Sequence, residues 1–171
     1  MKRMTQSQTL EVSTQAEEIR FCDLRSQIDL NQLQELFRLT AFWAQNRSIE
    51  DLAIAIANSD PVISVWDKER LIGFSRATSD CVYRATIWDV IIHPDYRGLG
   101  LGRKMIETLL SHPRVSRVER VYLMTTYQQG FYTRLGFQFP NPSTTMVLYN
   151  HHPVTNTRHF QSTNSGDSPT E

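Results

Sequence analysis

The spacing of apolar residues predicts two helices in the first third of the chain. From about Leu30 to Gln45 apolar residues recur at helical intervals and form one stripe: Leu30, Leu33, Leu36, Phe37, Ala41 and Ala44. A second helix is predicted next, because Ser48 and Asp51 have the spacing of a helix cap and an apolar run follows over 52–57. This helix is expected to end at the sequence Asn-Ser-Asp-Pro over 58–61.

Apolar runs of strand length lie on either side of these helices. A short strand is predicted over 18–22, and runs at 62–66 and 71–78 are separated by a polar connection of hairpin length. The run 86–92 is rich in β-branched residues and apolar at almost every position, up to Pro94. Such a run is typical of a central strand covered on both faces.

A helical crossover connects that central strand to a later one. Glycines at 98–102 are followed by an apolar helical pattern over 105–110, and a further strand is predicted over 118–125. A strand, helix, strand connection places its two strands side by side and parallel. The chain is therefore predicted to be α/β, with a mixed sheet.

Both ends of the chain differ in composition from its centre. The last predicted elements of the centre are a short helix and a strand pair: about 128–134, 137–139 and 144–149. Residues 1–16 and 150–171 are polar, and too few apolar side chains are present to offset the entropy of ordering them. We expect one folded domain over 17–149, with a disordered lead and a disordered tail.

Composition and charge exclude several function classes. The 171 residues include 18 basic and 18 acidic ones, so no general attraction to nucleic acid or to an anionic membrane is expected. No apolar run approaches the roughly 18 residues of a membrane span. Cys22 and Cys81 form no CxxC pair and no secretory leader is recognisable, which favours reduced thiols and a cytoplasmic location. The five histidines lack the spacing of a metal site.

The glycine cluster has the character of a phosphate-binding turn. The string Arg97-Gly98-Leu99-Gly100-Leu101-Gly102 stands between a strand and a helix. Glycines there allow positive φ and a close approach of backbone N–H groups to an anion, which the helix N-terminus also favours. The dinucleotide fingerprint GxGxxG fails at Arg103 and Met105, and Lys104 does not complete a P-loop. A glycine turn without a ligand is the alternative.

Two motifs resemble a known family. Arg97, Gly100 and Gly102 match the acetyl-CoA-binding motif of the GNAT superfamily of N-acetyltransferases, and residues 131–137 (FYTRLGF) match its later FYxxxGF motif. The resemblance covers about 17–149. It implies a mixed, mostly antiparallel sheet flanked by helices, with one parallel strand pair splayed around acetyl-CoA. The strings RATSD (76–80) and ATIWDV (85–90) are similar to plastid-type serotonin N-acetyltransferases of plants and cyanobacteria.

The resemblance implies acetyl transfer from acetyl-CoA to an amine, without a metal. It assigns the pyrophosphate and thioester contacts to these residues: Val90, Ile91, Ile92, Arg97, Gly98, Leu99, Gly100, Leu101, Gly102 and Arg103. Tyr132 matches the family tyrosine that protonates the leaving thiolate; the alternative is a packed aromatic residue. Thr126 stands where many members carry an asparagine, and its hydroxyl is expected to bond a pantetheine amide or a water.

The amine must lose a proton before it attacks, and Asp89 is the candidate base, directly or through water. The alternative is a strand carboxylate that holds a neighbouring loop. Strand alternation places Trp88 and Asp89 on opposite faces unless a bulge intervenes, and a bulge in this strand is a feature of the family. Trp88, Phe42 and Trp43 are the candidate acceptor contacts; Trp88 is alternatively a core residue.

The favoured reading is an N-acetyltransferase for an arylalkylamine such as serotonin or tryptamine. Protein lysines or N-terminal amines are the alternative acceptors. A second hypothesis is a catalytically silent module that binds acyl-CoA and regulates a partner. A homodimer is compatible with each of these readings.

Overall fold

One five-stranded sheet forms the centre of the described part of the chain. The computed structural model describes residues 19–138 and 146–147. The strands follow the chain order β1 to β5: Ile19–Cys22, Val62–Asp67, Arg70–Ser79, Arg84–Ile92 and Arg120–Tyr122. The first four strands pair antiparallel, and β4 pairs with β5 in parallel. The predicted mixed sheet and its parallel pair are confirmed. Of the last predicted strand pair, residues 139, 144–145 and 148–149 lie outside the described residues, and the described residues 137–138 and 146–147 form no strand.

Within residues 19–138, four α-helices flank the sheet, α1 to α4 in chain order: Leu30–Thr40, Ile49–Ala57, Leu101–Ser111 and Gln129–Thr133. Short 3-10 turns occur at Arg25–Gln27 and Pro94–Tyr96. The predicted cap of α2 is confirmed, because the Ser48 hydroxyl accepts the Asp51 N–H at 3.0 Å. In the part of the chain that the structure describes, no helix has both the length and the apolar character to cross a membrane.

Two predicted boundaries are wrong. α1 ends at Thr40 rather than near Gln45, since Ala41 leaves helical geometry at φ −121° and ψ 89°. Ala41 and Ala44 are nevertheless buried, so the apolar stripe continues into the core past the end of the helix. β5 is shorter than 118–125 because it pairs with only the first three residues of β4, and the Val118 N–H is bonded to the Val115 carbonyl in a turn.

The sheet has a separate apolar core on each face. One contains residues of α1 and α2 together with Phe74 and Ile91. The other contains residues of α3 and α4 together with Ile63 and Ile87. This arrangement follows from strand alternation, which turns neighbouring residues to opposite faces. We refer to the two sides of the sheet as the α1–α2 face and the α3–α4 face.

Candidate active site

The second half of β4 has an open edge. β4 and β5 pair only where Arg84–Thr86 lie beside Arg120–Tyr122, whereas Ile87–Ile92 continue along β3. Within 19–138, the two parallel strands therefore separate toward the end of β4. The predicted splay of the parallel pair is present.

The backbone of Ile92 faces this gap. The His93 N–H donates to the Ile72 carbonyl of β3 at 2.8 Å, and neighbouring residues of a strand direct their backbone groups to opposite sides. The Ile92 carbonyl accepts instead from Nε of Arg97 at 3.2 Å. The Ile92 N–H lies on the same side of the strand and is positioned to donate to a group in the gap.

A bulge in β4 brings Trp88 and Asp89 to one face. Arg76 lies opposite Trp88 and Phe74 opposite Ile91, so β4 has one residue more than β3 between these pairs. Asp89 takes the left-handed backbone conformation, with φ 55°. Both side chains lie on the α1–α2 face, where Asp89 contacts Arg76, while Val90 packs into the core of the α3–α4 face. The expected bulge is confirmed.

Asp89 is held by two guanidinium groups. Its Oδ2 accepts from Nε of Arg76 at 2.7 Å and lies 2.9 Å from Nη1 of Arg47, and the carboxylate side chain is 5% exposed. Arg47 belongs to the loop between α1 and α2, so this carboxylate ties that loop to the sheet. These contacts match the structural alternative for Asp89, and its role as a base stays a prediction. Local sequence signals did not indicate Arg47 or Arg76, which lie far from Asp89 along the chain.

The glycine turn enters α3 with unusual backbone geometry. Gly98 and Gly100 have φ values of 81° and 78°, which L side chains rarely adopt. Gly100 is the N-cap of α3 without a side-chain cap, so the first N–H groups of the helix are available to an anion. Leu101 is buried, Leu99 is 63% exposed, and Arg103 makes an exposed pair with Glu107 at 3.3 Å.

Side-chain contacts that the sequence did not predict hold the start of the glycine turn in place. The Tyr96 hydroxyl donates to Oδ2 of Asp67 at 2.5 Å, and this hydrogen bond raises the pKa of Tyr96. Nη2 of Arg70 lies 2.8 Å from Nε2 of His93, which is buried. The hairpin of β2 and β3 thus anchors the residues that lead into Gly98.

Three elements converge at Gly102. A Cβ atom there would lie 3.6 Å from Cζ of Phe131 in α4 and 3.9 Å from Cγ1 of Ile92 in β4. The open strand end, the glycine turn and the helix that carries Tyr132 therefore meet at one point. Such a junction of a free strand edge with a helix N-terminus suits an elongated anionic ligand.

Tyr132 is a buried phenol whose hydroxyl has no protein partner among the described residues. Its ring packs edge-on against Phe131 and Phe137, with centroids 4.9 and 5.8 Å away. Burial raises its pKa to about 12. At neutral pH the phenol is protonated and has a proton to donate.

Exposed aromatic rings lie on the loops beside these elements. Phe42, Trp43 and Tyr127 are each more than half exposed; Phe42 lies 5.1 Å from Trp43 and 6.4 Å from Tyr127, centroid to centroid. Tyr127 was not indicated by the sequence reasoning. Trp88 is half-buried, and its indole N–H donates to the Thr78 hydroxyl at 2.9 Å. Thr126, beside Tyr127, is exposed, and its carbonyl accepts from Gln129.

No group of three or more His, Cys, Asp or Glu side chains positioned to hold a metal ion occurs in 19–138 or 146–147. Cys22 and Cys81 are both free thiols.

Comparisons with known proteins agree with this geometry. A profile of the Acetyltransferase (GNAT) family matches residues 30–137. The chain is 39% identical over 115 residues to the uncharacterized N-acetyltransferase ycf52 of Pyropia yezoensis, across 64% of this chain and 65% of that protein. It is 33% identical over 131 residues to serotonin N-acetyltransferase 2, chloroplastic, of Oryza sativa subsp. japonica, across 71% of this chain and 63% of that protein. The aligned part thus spans less than two thirds of the length of these relatives.

Solved structures share the fold. A Xanthomonas campestris pv. campestris protein assigned to the GNAT family superposes with a TM-score of 0.69 at 26% identity, over 77% of this chain and 93% of that chain. The family profile covers most of the described residues, and the open strand edge and the glycine turn agree with it. The chain therefore belongs to the GNAT acetyltransferase family.

Proposed function

We propose that this protein transfers the acetyl group of acetyl-CoA to a primary amine. The observation that carries the proposal is the convergence at Gly102 of the open end of β4, the glycine turn and α4 with Tyr132. This junction offers backbone donors, room for close approach and a protonated phenol. The name of the family and the names of its relatives support the same reaction.

The described residues fit acetyl-CoA as the donor substrate. Backbone N–H groups of the turn over 98–102 suit the pyrophosphate, since a helix N-terminus without a side-chain cap favours an anion. Arg97 and Arg103 add positive charge beside the turn. The Ile92 N–H faces the gap, where it suits the thioester carbonyl. The Thr126 hydroxyl is exposed and suits a pantetheine amide.

Tyr132 acts on the leaving group in this proposal. A thiol has a pKa of about 8.5, so a phenol with a pKa of about 12 keeps its proton while negative charge develops on sulfur. Tyr132 therefore stabilises the thiolate mainly by donating a hydrogen bond, in a site that burial has made less polar.

The proton of the attacking amine needs an acceptor. Asp89 lies at the bulge, but its Oδ2 is already bound by Arg47 and Arg76. Protonation of this oxygen would cost both ion pairs, so we assign the proton to a water molecule and assign Asp89 to positioning of the loop that carries Arg47.

An arylalkylamine is the acceptor class that we favour. Phe42, Trp43 and Tyr127 present aromatic surface, and an indole or phenyl group packs well on such rings. The rice relative is named a serotonin N-acetyltransferase. A protein amine is the second candidate, because a Glycine max relative, 36% identical over 123 residues, is named histone acetyltransferase TAP1.

Turnover with a panel of amines tests the proposal. Purified protein is incubated with acetyl-CoA and serotonin, tryptamine, a lysine peptide or a peptide with a free N-terminus. Release of free thiol, matched by acetylated amine in mass spectra, is expected with the aromatic amines. Faster turnover of the peptides would favour the second candidate. Tight binding of acetyl-CoA without acetylation of any amine would indicate a silent acyl-CoA-binding module.

A further inference from the structure

A polar cleft lies beside the α1–α2 face, at the end of α1 and the loop that follows it. Its volume is about 650 Å³, and it is lined by Gln34, Arg38, Gln45, Asn46, Arg47 and Ser48. A cleft of this size accommodates a small organic molecule. Two of its lining residues are cationic and none is acidic, so it offers no counter-ion to an ammonium group.

Arg47 joins this cleft to the bulge of β4. Its Nη1 lies 2.9 Å from Oδ2 of Asp89, and its guanidinium carbon lies 4.8 Å from the ring centroid of Phe37. Its carbonyl accepts from Nε2 of Gln34 at 2.9 Å. The side chain is still 31% exposed. A guanidinium fixed on several sides, with part of its surface free, is preorganised to bind a ligand.

The cleft is positive although the whole chain is neutral. Asp89 lies between Arg47 and Arg76, so these three groups carry one net positive charge. Arg38 adds a second positive charge to the lining, which Glu35 outside the lining offsets in part. Its contact with Glu35 is weak, at 3.9 Å between side chains that are 58% and 60% exposed. An acceptor that brings negative charge into this cleft gains from both arginines.

We propose that the preferred acceptor carries a carboxylate next to its amine, and that Arg47 and Arg38 bind this carboxylate. The inference rests on the proposed function and specifies its substrate class as aromatic amino acids. A guanidinium binds the two oxygens of a carboxylate with paired N–H donors. Because Arg47 contacts Asp89 at the bulge, a carboxylate held there keeps the neighbouring amine beside the bulge of β4.

Matched pairs of acceptors test this inference. Tryptophan is compared with tryptamine, and 5-hydroxytryptophan with serotonin, since each pair differs only by the carboxylate. We expect kcat/KM to be higher for the acid of each pair, by about tenfold or more, as for a charge-assisted hydrogen bond. Added salt is expected to reduce this preference.

Three variants separate binding from folding. Arg47→Gln is expected to abolish the preference for the acid, mainly through KM. Because this change also removes a partner of Asp89, Arg38→Gln is the second variant. Arg38 is exposed, so its loss leaves the fold intact and is expected to reduce the preference about two- to fivefold. Arg117→Gln removes the same charge from an exposed loop position elsewhere and is expected to leave the preference unchanged.

A binding measurement keeps the inference independent of turnover. Calorimetry of tryptophan with the CoA-saturated protein is expected to show binding that Arg38→Gln weakens. If this binding occurs without acetylation, the proposed function fails and the carboxylate site stands. The inference would be overturned by a higher kcat/KM for the decarboxylated amines, by a preference for the acids that both arginine variants retain, or by the absence of tryptophan binding.

Discussion

Gly102→Ala is expected to separate the stability of the protein from its affinity for acetyl-CoA. Gly102 lies in the first turn of α3, and its φ is not in the positive range that requires glycine. A methyl group there would make ordinary contacts, 3.6 Å from Phe131 and 3.9 Å from Ile92. Neither backbone geometry nor packing therefore requires glycine at this position. The close approach of a ligand is the remaining reason for it.

The two effects are expected to have opposite signs. Alanine is the better helix former by up to about 1 kcal/mol, so the melting temperature of the free protein is expected to rise by about 2–4 °C. A methyl group at the junction displaces the pyrophosphate from a backbone N–H. Loss of one such charge-assisted hydrogen bond raises the Kd for acetyl-CoA by about 10- to 100-fold.

Thermal unfolding and calorimetry with acetyl-CoA measure both effects. Gly130→Ala is the matched control, because Gly130 is the second residue of α4 and a methyl group there lies no closer than 3.8 Å to the Arg134 side chain. It is expected to leave acetyl-CoA binding unchanged. Gly100→Ala is expected to lower both stability and affinity, since φ is 78° there. Unchanged affinity in Gly102→Ala would refute a ligand contact at this glycine.

Three other substitutions test the site and the sheet. Tyr132→Phe is expected to lower kcat about 10- to 1,000-fold without a change in the KM for acetyl-CoA. Because burial raises the pKa of Tyr132 to about 12, ionisation of this phenol is expected to cause no loss of kcat up to about pH 10. Asp89→Asn leaves two guanidinium groups unneutralised, so the free energy of unfolding is expected to fall by about 2–3 kcal/mol in urea titrations. Lost turnover at unchanged stability would instead support Asp89 as the general base. Gly73→Ala places a Cβ 2.7 Å from Ile92 Cδ1 and 3.1 Å from Val65, and calorimetric unfolding is expected to show a loss of about 1–3 kcal/mol.

Local sequence patterns predicted the helices and strands whose boundaries are set by residues close by in the sequence. Ser48 caps α2 as expected, since a hydroxyl and an N–H three residues later need no distant partner. The crossover through α3 gave the parallel pair of β4 and β5, because connection geometry allows few arrangements. Trp88 and Asp89 share a face only through the bulge, which alternation alone did not predict and the family resemblance did.

Contacts between distant parts of the chain were not predictable from local patterns. The end of α1 depends on Ala41 and Ala44, which pack into the core from a turn rather than from a helix. The partners of Asp89 come from another strand and from a loop. The Tyr96 bond to Asp67 joins the turn after β4 to the end of β2, which the sheet brings together. Such pairs depend on the assembled tertiary structure, so no short window of sequence contains them.

Transfer of a labelled acetyl group tests the central claim most directly. The protein is incubated with acetyl-CoA labelled in its acetyl group and with an aromatic amine or amino acid, and the products are analysed by mass spectrometry. We expect labelled N-acetyl product in proportion to released CoA, with much less product from Tyr132→Phe. Saturable binding of acetyl-CoA with no labelled product from any amine would contradict the account.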